Sequence, residues 1–357
     1  MKKILALILA LVMALSLVAC GEKAPAVDEG TDAPAVEDNT VYKLNVSFAS
    51  PEFTTQAITD SLNRIQAASN GRIEFTYYYS WSLTSVPTVV DDLNSGVVDI
   101  AAVPVNEHLN IFPYSNLVTY TPFLGLPNQM AAAETFDELY NEYDVFPAEY
   151  ANLGLKYWTN YPCPGYNIYT TADKQIRTPA DLAGLKLITS SSMMADFLTA
   201  NGAAVVNAPV TDYATSLNTN VVDGVINHAN VLMAFGCMDF VKGATVFGDQ
   251  GSAISLMMMC FSEDAWNSLP ADLQALFDAE AKTLRDTQCE YDYTSHAGNI
   301  DYITGNGGNV TTLTDDEIAV WRDAFKPFLA DYIADLTASG ATEAQTIYDA
   351  LQAKLAA

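Results

Sequence analysis

The chain has 357 residues, half of them hydrophobic, with 43 acidic against 16 basic side chains and a formal charge of −27. That balance excludes a broad nucleic-acid face, which needs a basic surface, and broad contact with an anionic membrane. The length is enough for two lobes with separate cores.

The chain opens MKKILALILALVMALSLVAC. Lys2 and Lys3 precede an apolar run from Ile4 to Val18, too short for a comfortable bilayer span, so it reads as an export signal over 1–20. It closes on small residues and Cys20, a pattern resembling a bacterial lipobox, in which that cysteine is lipidated. The alternative is an ordinary signal peptide with an incidental cysteine. Residues 21–41 hold Pro, Gly, Ala and acids without an aromatic, and read as a disordered tether.

From there strand and helix signals alternate. YKLNVSFAS reads as a strand ending in small polar residues. QAITDSLNRIQAASNG spaces Ile58, Leu62 and Ile65 for one helix face and stops at Asn70-Gly71. RIEFTYYYSW alternates like a strand, VPTVVDDLNSG is a helix closed by Gly96, and VVDIAAVPV is a buried strand. TPADLAG carries Thr178 as N-cap, Pro179 at the first helical position and Gly184 as stop. The strand LKLIT and the helix SMMADFLTANG follow. The order is that of an α/β fold with mostly parallel sheets.

One cassette occurs twice. LNSGVVDIAAVPVNEHLN (93–110) and LNTNVVDGVINHANV (217–231) share Leu-Asn-x-x-Val-Val-Asp. Each runs into a polar cluster: Asn106, Glu107 and His108, then Asn227, His228 and Asn230. Either two common helix–turn–strand units coincide, or two lobes of similar topology present polar strand ends to one cleft, where open α/β sheets gather ligands. Between them YWTNYPCPGYNIY (157–169), broken by Pro162 and Pro164, carries the chain from lobe to lobe. Its aromatics Trp158, Tyr161, Tyr166 and Tyr169 read equally as core or as walls of an organic ligand site. The C-terminal third is helical. SLPADLQALFDAEAKTLRDTQCEYDYTSHAGNIDYITGNGG is long enough to brace both lobes, and LTDDEIAVWRDAFKPFLADYIADL reads as a helix pair interrupted at Pro327.

No GxSxG, HExxH, Walker loop or GxGxxG is present. His296 and Asp292 stand one turn apart, a pattern more typical of a solvated helix face than of a metal site. Cys163, Cys237, Cys260 and Cys289 form no CxxC pair, and the spacing leaves open whether they are thiols or disulfides. No cofactor is implied. A tethered, two-lobed α/β chain without a catalytic constellation reads as a solute receptor; the alternative is an extracytoplasmic hydrolase using the Asn, His and Glu of the two strand ends.

SNGRIEFTYY, LNSGVVDIAAV, TPADLAGLKL with MMADFLTANGA, SLNTNVVDGVINH, DAWNSLPADLQALF and LTDDEIAVWRDAF, in that order and spacing, resemble the solute-binding proteins of TRAP (tripartite ATP-independent periplasmic) transporters, in the C4-dicarboxylate-binding family. The resemblance covers about 42–350. It implies a two-lobed periplasmic-binding-protein-like fold of class II type with a long helix spanning both lobes. The expected division is lobe I at 42–165 plus part of 252–310, and lobe II at 166–251 plus part of 305–350. The resemblance also implies closure over one small organic solute, and hand-off to a TRAP permease driven by an ion gradient. An ABC-type or sensor-coupled receptor is the nearest alternative. The expected location is extracytoplasmic, with the lipid on Cys20 as membrane anchor.

In carboxylate-binding members of the family, the stretch after GLK ends in an arginine that clamps the carboxylate with two parallel hydrogen bonds. Here Ile188 stands there, and a second, upstream arginine position falls at Ile168. Asn227 matches the family's asparagine, while the nearby tyrosine is displaced by one residue to Tyr213. The resulting ligand-binding set is Ser47, Asn106, His108, Trp158, Tyr166, Ile168, Ile188, Ser190, Ser191, Asn227 and His228, with no catalytic or metal-binding residue.

Overall fold

The computed structural model describes residues 40–356. The export signal, Cys20 and nearly all of the tether lie outside them. The strands are β1 (Tyr42–Ser47), β2 (Ile73–Tyr78), β3 (Ile100–Pro104), β4 (Leu155–Pro162), β5 (Asn167–Thr170), β6 (Lys186–Ile188), β7 (Ala204–Val206), β8 (Gly224–Asn227), β9 (Gly243–Val246), β10 (Leu256–Ser262) and β11 (Asn309–Thr312). They form two sheets, ordered β2-β1-β3-β10-β4 and β11-β9-β5-β8-β6-β7.

The two cassettes lie in different sheets and are built alike, bond for bond. In the first, the Asp99 carboxylate accepts from the Asn45 amide at 2.7 Å, and the Asp99 amide donates to Asn45 O at 3.0 Å. In the second, Asp223 accepts from the Lys186 amide at 2.8 Å and donates to Lys186 O at 2.7 Å. The first valine of each pair is exposed (Val97 43%, Val221 54%) and the second, Val98 or Val222, is buried. The aspartate locks a strand beside its parallel neighbour, β3 beside β1 and β8 beside β6. Each sheet thus has a β2-β1-β3 or β7-β6-β8 trio whose central strand enters first. Helix Gln56–Ala68 links β1 to β2, with Ile58, Leu62 and Ile65 buried as their spacing requires.

Two segments cross between the sheets side by side. The link from β4 to β5 meets the link from β9 to β10 through Cys163 N to Ser255 O (2.7 Å), Tyr166 N to Ala253 O (2.9 Å) and Ser252 N to Tyr166 O (2.7 Å). Glycine is required at this contact, since a Cβ on Gly165 would lie 2.6 Å from the amide nitrogen of Gly251.

Helix Ala271–Gly305, 35 residues long, runs on through Gly298 and is tied to both sheets. Its first half accepts from Trp158 Nε1 at Phe277 O (2.8 Å) and from Thr159 Oγ1 at Ala281 O (3.1 Å). Its second half bonds Asn230 through Asn299 (2.9 Å) and Asp239 through Tyr302 (2.7 Å). Phe123, arriving from the first sheet's side, sets its ring among Phe197, Phe247, Trp321 and Phe325, all within 6.2 Å of it.

Two local expectations are corrected. The TPADLAG stretch makes only a 3-10 turn, Pro179–Leu182, closed by Asp181 accepting from the Thr178 amide at 2.8 Å. Pro327 does not divide the following helix, which is continuous over Asp315–Ala338. The lost hydrogen bond is outweighed by one buried stripe, Trp321, Phe325, Leu329 and Ile333, that spans the proline. Cys163, Cys237, Cys260 and Cys289 are all free thiols. Among the described residues no helix is long and apolar enough to cross a membrane.

Candidate functional site

The carboxyl ends of β3 and β6 converge. After β3 the chain makes a tight turn, Val105–Glu107. Asn106 is buried there, accepting from Ser255 Oγ of the crossing strand (2.9 Å) and donating to Glu107 Oε1 (3.3 Å). Glu107 is open to solvent on one side and walled by protein on the other. The walls push its carboxyl above the ordinary value, against a hydrogen bond from the Ser190 hydroxyl that holds it down. Ser190 Oγ also lies 3.2 Å from the phenol oxygen of Tyr120, the residue that ends helix Pro113–Thr119. The Tyr120 ring meets Tyr166 edge-on at 5.2 Å, and Tyr166 meets His228 edge-on at 5.5 Å. At the end of β8, Asn227 Oδ1 accepts from the His228 amide at 2.8 Å. The Asn227 side chain also bonds the Tyr213 phenol, whose burial pushes it up to about 12.

The long helix adds a second polar row. Asp292 accepts from Gln288 Nε2 (2.9 Å) and Asn230 Nδ2 (3.1 Å), and burial pushes its carboxyl up to about 7. His296 Nε2 is 3.5 Å from Asn167 Nδ2, and burial lowers its imidazole to about 4. His228, buried and close to His296, falls to about 3, so both rings are neutral at pH 7. Among the described residues no group of three His, Cys, Asp or Glu could hold a metal ion.

Of the residues expected from the sequence, Tyr166, Ser190, Asn227 and His228 come together here, with Asn106 behind Glu107. His108 stands beside them in the chain, half-buried against Phe112, its pKa lowered by burial. Ser47 is wholly buried and paired with Thr84 Oγ1 at 2.8 Å. Ser191 Oγ caps helix Ser192–Ala200, accepting from Met194 N at 3.2 Å. Trp158 lies in the core between the first sheet and the long helix. Ile168 and Ile188 are 2% and 0% exposed, packed in cores on opposite faces of the second sheet. Arg64, Arg72, Arg177 and Arg285 pair with Glu280, Asp272, Glu317 and Asp137. Glu107 and Tyr213, singled out in the sequence as a polar-cluster member and as the displaced family tyrosine but left out of the ligand-binding set, join the cluster, and Tyr120 was not expected at all. Tyr120 sits in a stretch without a motif, and only the closing of the two strand ends brings it into place.

The model of a family described as bacterial extracellular solute-binding protein, family 7, matches residues 47–335. The chain belongs to that family. Family 7 relatives include the C4-dicarboxylate-binding periplasmic protein DctP of Vibrio cholerae serotype O1. That protein is 29% identical over 52% of this chain, a match spanning 54%, about half, of its own length. The 2,3-diketo-L-gulonate-binding periplasmic protein YiaO of Escherichia coli K12 is 24% identical over 76% of this chain and 79% of its own. A solved TRAP solute-binding protein from Rhodoferax ferrireducens T118, in complex with copurified benzoate, shares the two-lobed fold. It superposes at a TM-score of 0.77, with 19% identity, over 88% of this chain and 99% of that one. Within the family 7 fold, the cluster described above lies where both sheets turn their strand ends inward. It offers hydrogen-bond acceptors, hydroxyls and ring faces, with neutral imidazoles and no arginine at either strand tip.

Proposed function

We propose that this chain is an extracytoplasmic receptor that captures one small organic solute between its lobes and delivers it to a TRAP permease driven by an ion gradient. Lipid on Cys20 would hold it at the membrane, and it performs no chemistry on its cargo. The observation that carries the reading is the meeting of Glu107 and Tyr120 from one lobe with Ser190, Asn227 and His228 from the other. A solute seated there touches both lobes, so its binding energy favours the closed state over the open one. A permease can then read closure as occupancy. Burial pushes the Cys163 thiol well above its ordinary value and Cys237 up to about 11, so neither is a thiolate nucleophile at neutral pH. The names of the relatives support the transporter class and a small organic cargo.

The test is reconstitution. The membrane subunits encoded beside this gene are placed in vesicles, and uptake of the solute that the protein retains is followed. Uptake that requires this chain and a sodium or proton gradient, and proceeds without ATP, supports the reading. Uptake that requires ATP would make it an ABC-type receptor, and release of an altered compound would make it an enzyme.

A further inference from the structure

On the receptor reading just given, we propose that the solute of this chain carries a positively charged nitrogen, seated against the Glu107 carboxylate beside the Ser190 hydroxyl. Glu107 is exposed at the strand-end cluster, with its neighbour Asn106 donating to it at 3.3 Å and the Ser190 hydroxyl beside it. No basic side chain pairs with it among the described residues: four arginines are engaged with other carboxylates, and Lys186 lies at the opposite, entering end of β6. The second acid near the cleft, Asp292, adds no positive charge, and His228 and His296 are neutral. A carboxylate solute would therefore meet a carboxylate and find no cation, a like-charge contact that disfavours binding. A cationic nitrogen meets the reverse. It donates a charge-assisted hydrogen bond to the Glu107 carboxylate.

A second unpaired group lies in the same cluster. His228 is 8% exposed and its Nδ1 has no hydrogen-bond partner, although the ring is held edge-on to Tyr166 at 5.5 Å. A buried nitrogen left unpaired is costly, and a donor on the solute would satisfy it. Amines, amidines, guanidines and protonated nitrogen heterocycles have both features, a charged N–H group and an adjoining apolar skeleton.

The test is a thermal-shift and calorimetry panel on the full folded chain. Putrescine, agmatine, tyramine and benzamidine are the cation-bearing probes; succinate, benzoate and pyroglutamate are the acids, and glucose is the neutral control. Glu107→Gln and Glu107→Lys are run beside the wild type. Because Glu107 is exposed, neither substitution should impair folding. The expected result is stabilisation of the wild type by at least one cation-bearing probe and by none of the acids. Glu107→Gln should weaken that probe by about tenfold to a hundredfold, and Glu107→Lys should abolish its binding and admit an acid. If an acid or glucose stabilises the wild type and no cation does, the inference fails while the receptor reading stands. It also fails if Glu107→Gln leaves the cation's Kd within about twofold, since loss of a charged hydrogen bond is larger than that. If nothing in the panel binds, the inference fails, and the receptor reading is then judged by the reconstitution described above.

Discussion

Asn227 makes two hydrogen bonds at the end of β8, to the His228 amide and to the Tyr213 phenol, so it braces the strand end where the solute is proposed to sit. Asn227→Ala should weaken the retained solute by about 1–3 kcal/mol, measured by calorimetry, with a smaller loss of Tm in the empty protein. Ile188 behaves differently. It stands at the position where the family resemblance implies an arginine, but it is fully buried beside Tyr169 and Val225. Ile188→Arg should therefore not restore a carboxylate clamp. It should lower Tm sharply, because an unpaired guanidinium in an apolar core costs several kcal/mol. The titratable residues give opposite pH limbs. His228 and His296, lowered from 6.5 to about 3 and about 4, contribute stability that is present above pH 6.5 and lost as the pH falls through the folded values. Asp292, raised from 3.8 to about 7, contributes stability present below pH 3.8 and lost as the pH rises to 7. In Tm measured across pH 4–8, His228→Gln should flatten the acid decline and Asp292→Asn should flatten the neutral one. Steeper slopes in either variant would contradict these assignments.

At the scale of elements, the sequence was most legible where a local pattern dictates a local bond. The LNxxVVD cassette contains its own turn and its own capping aspartate, so its recurrence at 217–223 reports a repeated strand-entry device. It was least legible where facing decides the role. Tyr157 and Trp158 are adjacent on β4, and strand alternation sends one to each side, so Trp158 enters the core beneath the long helix. Pro327 reads as a break by propensity, yet the apolar stripe across it keeps the helix whole. Tyr120 gains its place only when two distant segments meet, which no window of the sequence contains. The crossing strands make a prediction at this scale. In Gly165→Ala the new Cβ would lie 2.6 Å from the Gly251 nitrogen, so the paired segments must separate. Tm should fall by several degrees, and solute affinity should fall with it, because the same contact sets the position of Tyr166. An unchanged Tm and Kd would show that the crossing yields without cost.

For the whole molecule, one long helix and two crossing segments tie two similar sheets together, and the polar strand ends of those sheets meet in one polar surface. Helix Ala271–Gly305 is bonded to the first sheet near Trp158 and to second-sheet elements near Asn230 and Asp239. The central claim is that this surface holds one small organic solute and releases it unchanged. Native mass spectrometry of the protein incubated with the small-molecule fraction of its host's extract tests this most directly. The expected spectrum shows one added solute per chain. Denaturation should return that solute with unaltered mass, and Asn227→Ala should reduce the occupied fraction. A chain that stays empty in such an extract, or returns a chemically changed compound, would contradict the account.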